Sequence, residues 1–145
     1  MDDPNLPKVV RIPPRMQNRF GTGDMLIPSP REIDALIRKT RRGSLLTVSE
    51  IRRILAEDHA ASVTCPLTTG IFIRIAAEAA EEDARDGRQH VTPYWRVVKD
   101  DGSLNPKFPG GAASQSRKLR EEGHRIAAGK GSKPPRVVIP SRDGS

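Results

Sequence analysis

A chain of 145 residues with 25 Lys/Arg, 18 Asp/Glu and a formal net charge of +7 is long enough for one domain with tails and a modest core. Its single Cys, Cys65, excludes an internal disulfide, and no Cys/His cluster has the spacing of a zinc site. No apolar run is long enough for a bilayer, and MDDPNLPKVV lacks the basic and apolar regions of a signal peptide, so a cytoplasmic location is expected, with no membrane partner and no cofactor.

The charge is uneven. Lys8 to Arg53 holds eleven Lys/Arg against four Asp/Glu, Ile54 to Asp101 holds five against nine, and basic residues concentrate again after Gly102. Simple solubility is one reading of this pattern; a surface for a polyanion is the other, and the asymmetry favours it.

Residues 1–28 are rich in Pro, Arg and Gly and read as an irregular basic arm with one extended piece, Val9 to Ile12. Ser29-Pro30-Arg31-Glu32 opens a helix: a Ser cap, Pro at the first helical position and Glu three residues after the cap. Ile33, Leu36 and Ile37 share one face, and Lys39, Arg41 and Arg42 load its end, as a solvated terminus or as phosphate contacts. Thr47-Val48-Ser49-Glu50 is a second capping box, with Val48, Ile51, Ile54 and Leu55 apolar, Arg52 and Arg53 pointing away, and an end near Asp58.

Cys65-Pro66 opens a third helix, expected to bury Ile71, Phe72, Ile75, Ala76 and Ala79 and to run to Asp86, where Gly87 breaks it. This order is compatible with a helix-turn-helix whose second member reads a groove, its first turn (Thr68, Thr69, Gly70) facing the nucleic acid. A fourth helix is expected after Gly110-Gly111, capped by Ser114 and ending at Gly123, with Leu119 its one large apolar residue. Residues 127–145 are rich in Gly, Lys, Pro and Ser and read as a mostly flexible basic tail, in which Val137-Val138-Ile139 is a candidate strand.

Between the third and fourth helices lies TPYWRVVKDDGSLNPKFPGG, with the chain's one Tyr and one Trp side by side. Pro93 stiffens the approach, Val97-Val98 reads as a short buried strand, and Asp100-Asp101-Gly102 supplies a turn. Pro93-Tyr94-Trp95-Arg96-Val97-Val98, Asp101-Gly102, Gly110-Gly111 and Glu122-Gly123-His124-Arg125 together resemble the DNA-binding domain of the O6-alkylguanine-DNA alkyltransferases. That family's signature is Pro-Cys-His-Arg-Val, a downstream Gly-Gly and a helix ending near Glu-Gly. The resemblance runs from Arg31 to Ile126 and implies a mainly α domain with small β content at 29–126, of winged helix-turn-helix type. The family's N-terminal domain is expected to be missing.

On this alignment the nucleophilic Cys falls on Tyr94 and its activating His on Trp95, as in the alkyltransferase-like subgroup that lacks the Cys, although most of that subgroup keeps the His. The family's intruding Arg falls on Thr69, or on Gly70 one residue along; its phosphate-rotating Tyr falls on Val48, and Gln115 stands for a Lys. Glu122 matches a relay carboxylate with nothing left to relay, and reads more simply as a partner of Arg96 or Arg125. A Tyr phenol is largely protonated at neutral pH and an indole N–H only donates, so no catalytic residue is expected here. Cys65 at a helix start is the remaining candidate nucleophile, without an assigned base.

What remains is a binding site. Tyr94 is expected to face a pocket for an unstacked base, stacking being worth about 1–3 kcal/mol, with Trp95 as its half-buried wall or a core residue. Arg96 braces the loop or holds a phosphate, and the Lys107-Phe108-Pro109-Gly110-Gly111 loop is expected to form the other wall, its backbone close to a flipped nucleotide. The resemblance implies a monomeric, non-catalytic double-stranded DNA binder (nucleoid-associated in a bacterium) that recognises alkylated bases and flags them to nucleotide excision repair proteins. A winged-helix regulatory or protein-interaction module and a thiol alkyltransferase using Cys65 are the alternatives.

Overall fold

The computed structural model describes residues 4–138. Caps readable in the sequence set the principal helices. In α2 (Pro30–Arg38) the Ser29 hydroxyl accepts from the Glu32 N–H at 3.2 Å, and the Glu32 carboxylate accepts from the Ser29 N–H at 2.9 Å. The Thr47 hydroxyl does the same for Glu50 at the start of α3 (Val48–Asp58), and Pro66 opens α4 (Pro66–Arg85). A four-residue α1 (Gln17–Phe20) and α5 (Gly111–Glu121) complete five α-helices among the described residues, in a mixed α/β fold.

The main core lies among α2, α3 and α4. Ile33 and Ile37 of α2, Ile51 and Leu55 of α3, and Ile73, Ala76, Ala77 and Ala80 of α4 are buried together with Tyr94, Val97 and Phe108. The alanines let α2 approach α4 closely. The buried stripe of α4 departs from the expected one by about a residue: Ile73, Ala77 and Ala80 are inside, while Ile71 is 40% exposed. Ile71, Phe72, Ile73 and Ile75 wrap most of the helix, so periodicity alone had no single face to choose.

Strands join segments distant in sequence. The arm is extended near Val9 to Ile12 as expected, but the rest of its described part is not irregular and folds onto the domain: β1 (Lys8–Arg11) pairs antiparallel with β2 (Asp24–Ile27), which runs parallel to β4 (Val63–Thr64). Leu26 enters the main core, and Met25 and Ile12 cover Cys65. In the same way β3 (Leu46–Thr47) pairs parallel with β5 (Val97–Val98), pinning the chain's aromatic segment to the start of α3.

Arg52 does not point away as expected: its Nε donates to the Thr64 carbonyl at 3.1 Å, and its guanidinium lies 5.6 Å from the Phe20 ring. The α3–α4 connection, residues 59–65, contains β4 and is longer than the tight turn of a compact helix-turn-helix. The tail is ordered further than expected: β6 (Ile126–Ala127) pairs antiparallel with β7 (Arg136–Val137). Val137 is in the strand and Val138 follows it, whereas Ile139 lies outside the described residues.

Candidate nucleic-acid interface

The aromatic segment forms a 3₁₀ turn, Tyr94–Arg96, entering β5. Tyr94 is core, 1% exposed, and does not face a pocket. Its ring meets Trp95 and Phe108 edge-on, at 5.4 Å and 5.3 Å between centroids, and its hydroxyl donates to Glu81. Burial and the Glu81 carboxylate push the phenol's pKa well up, which leaves it a neutral hydrogen-bond donor.

Trp95 is half-buried as expected, but as a wall of the protein's interior. Its Nε1 donates to Glu122 at 2.9 Å, and the Lys118 ammonium sits 5.3 Å from the ring. Arg96 is a brace: Nη2 and Nε reach Glu122 at 2.9 Å and 3.0 Å, and Nη1 donates to the Thr40 carbonyl at 2.7 Å. Burial alone would raise the pKa of Glu122; the hydrogen bonds from Arg96, Trp95 and the Gly43 N–H, with the Arg96 charge, hold it below the usual value. Arg42 serves structure too, donating to the Glu121 carbonyl at 2.6 Å at the end of α5.

Gln115 is buried and fixes the loop after β5. Its amide nitrogen donates to the Trp95 and Val97 carbonyls at 3.0 Å and 2.8 Å, and its oxygen accepts from the Asn105 N–H at 2.9 Å. Ser114 does not cap α5. Gly110 holds that position at φ +76°, where a Cβ would lie 2.6 Å from the Ser114 Cβ, so glycine is required there.

The first turn of α4 is only partly available. Thr69 is fully buried, its hydroxyl donating to the Cys65 carbonyl at 2.7 Å, and so cannot face a nucleic acid. The Thr68 hydroxyl donates to the Cys65 sulfur at 3.3 Å. Cys65 itself is 7% exposed beneath Ile12 and Met25. Gly70 is exposed, as are Leu67 (72%) and Ile71. Pro93 is buried and Phe108 packs into the core, leaving Pro109, Gly110 and Gly111 on the partly open rim beside it.

An open cleft of about 320 Å³ runs between this face of α4 and the loop after β5. Leu67, Gly70, Ile71 and Arg74 line one side; Lys99, Asn105 and Lys107 line the other. Beneath it a cavity of about 40 Å³ reaches Ile73, Val97 and Phe108, room for a few waters and not for a purine. The structure thus joins Gly70 and Phe108 at one place and removes Tyr94 and Thr69 from it. Leu67, Ile71, Arg74 and Lys99 were not legible as a set, because they lie on two elements that only packing brings together. Leu67, Arg74 and Lys99 are apolar or basic residues outside the expected core pattern, whereas Ile71 is expected inside it and lies on the surface.

The class that geometry defines is a mixed α/β domain with a cation-rimmed cleft along one helix and, among the described residues, no metal-binding cluster and no helix long and apolar enough to cross a membrane. No protein-family model matches the chain, and no curated protein and no solved structure matches it significantly.

Proposed function

We propose that this chain is a non-catalytic double-stranded DNA-binding protein of the alkyltransferase-like kind, with α3 and α4 as a winged helix-turn-helix and the α4 cleft as its DNA face. The observation that carries the reading is the cleft's charge: Arg74, Lys99 and Lys107 are its ionisable groups, and no carboxylate lines it. Such a groove attracts phosphates, while Leu67 and Ile71 offer apolar contact to sugars and base edges. The buried, neutral Tyr94 at the nucleophile position and the covered Cys65 support a binding role over alkyl transfer. An alkylated base, recognised on this reading for hand-over to excision-repair partners, would be met in the cleft above Gly70 and Phe108 rather than on Tyr94.

Fluorescence anisotropy with two matched duplexes, one carrying O6-methylguanine and one guanine, tests this at fixed moderate salt. Tighter binding to the modified duplex supports lesion sensing; equal binding leaves a general DNA-binding domain. Binding to neither favours a protein-interaction module, for which the exposed Leu67 and Ile71 would supply the docking residues.

A further inference from the structure

The loop between β5 and α5 is a wall of two clefts. Lys99 and Lys107 face the α4 cleft, whereas Asp101 and Ser103 border a second one, of about 400 Å³, against the β6–β7 hairpin. Lys130, Lys133 and Arg136 line that second cleft. All three are exposed, and none is in an ion pair among the described residues. The one carboxylate at the rim, Asp101, is engaged by its own turn, accepting from the Ser103 N–H at 2.9 Å.

The hairpin is held in one shape. Leu104 donates to the Pro135 carbonyl at 2.9 Å, Val137 to Gly102 at 2.9 Å and Val138 to Arg125 at 2.8 Å. Val137 is buried with Val98, Leu104 and Leu119. At Gly129 a Cβ would come within 1.9 Å of the Lys133 carbonyl oxygen, so the crossing closes only with glycine. Cations on a pre-ordered platform repel one another and are relieved by an anion, without the ordering cost that a flexible tail would carry.

We propose that this hairpin is a second phosphate-backbone contact for double-stranded DNA, in which Lys130, Lys133 and Arg136 neutralise phosphates outside the α4 cleft. The inference rests on the DNA-binding reading above. A small anion would fill one cleft alone; a duplex is a continuous polyanion able to engage cations on both sides of the shared loop. Arg136 suits a phosphate in particular, through the two-pronged geometry of its guanidinium.

The test is the salt dependence of duplex binding, measured by anisotropy on unmodified DNA for the full chain, K130Q/K133Q/R136Q and K130E/K133E. The second variant leaves β7 untouched, and the near-ultraviolet signal of Trp95 reports folding in both. Each phosphate contact contributes about 0.9 to the slope of log affinity against log salt. The triple variant is therefore expected to lose about 2–3 from the slope, and K130E/K133E at least about 2. Binding by the unaltered chain with the same slope in folded hairpin variants overturns the inference and leaves the DNA-binding reading standing. Failure of the unaltered chain to bind any duplex overturns both.

Discussion

The Arg96 guanidinium closes on the Glu122 carboxylate with Nη2 2.9 Å from Oε2, their side chains 12% and 4% exposed. One pair thereby ties the aromatic turn to the end of α5, while Arg96 also holds the Thr40 carbonyl after α2. Replacing one partner leaves the other charged and buried, at a cost of about 3–5 kcal/mol. Arg96→Ala is expected to lose stability on that scale in urea unfolding. A loss below about 1 kcal/mol, the range of an exposed pair, would show that the pair does not brace the fold.

The same carboxylate sets a pH dependence. The pKa of Glu122 is lowered in the folded chain from an ordinary 4.5, so its contribution is complete above that value and is lost as pH falls through the lower folded value. The capping carboxylate Glu32 acts in the same direction: burial opposes the shift, but hydrogen bonds from Ser29 and His59 lower its pKa. Stability should therefore fall on acidification below about pH 4.5. Glu122→Gln, less stable at neutral pH, should lose less over that interval, as thermal melts at pH 7 and pH 3.5 would reveal.

Tyr94 separates packing from recognition. Truncation to Ala empties a site in the main core and should destabilise by about 3–5 kcal/mol. Tyr94→Phe keeps the ring contacts with Trp95 and Phe108 and removes only the hydroxyl bonded to Glu81. Duplex affinity in anisotropy should match the unaltered chain for the Phe variant. A tenfold loss with folding intact would return Tyr94 to the interface.

Gly70 separates the two in the opposite sense. It lies inside α4, and a Cβ there meets nothing within 4 Å, so Gly70→Ala should stabilise the helix by about 0.5–1 kcal/mol. The same methyl group stands in the cleft and should weaken duplex binding if the α4 backbone approaches DNA. A more stable variant with unchanged affinity would move the contact away from Gly70.

The Cys65 thiol is covered by Ile12 and Met25, brought there by β1 and β2. A thiol reagent should label it slowly in native buffer and fully in denaturant. No methyl adduct is expected by mass spectrometry after incubation with methylated DNA, and an adduct would reinstate the alkyl-transfer reading.

Local chemistry along the chain determines a good part of the fold without tertiary contacts. Ser29-Pro30-Arg31-Glu32 and Thr47 through Glu50 mark helix starts, because a cap satisfies backbone donors with side chains three residues away. Val97-Val98 and the Gly102 turn follow from the same short-range logic, whereas α5 begins at Gly111 on a Gly110 cap and not, as expected, beyond the glycine pair on Ser114. For Glu122 the sequence left Arg96 and Arg125 as alternative partners, and the fold selects Arg96 across 26 residues.

Only the tertiary structure decided which groups face out. Tyr94 and Thr69 carry side chains suited to a binding site, yet packing buries both, because Phe108 and Trp95 close over the ring and Cys65 offers its carbonyl to the Thr69 hydroxyl. The strands at Lys8–Arg11, Asp24–Ile27 and Val63–Thr64 pair across up to dozens of residues, and hydrogen bonds of that range leave no local pattern. The cleft arises likewise from two elements whose separate sequences say nothing of their distance. Backbone propensity acts over three or four residues, whereas burial is a property of the whole chain, and here burial decided which side chains line the cleft.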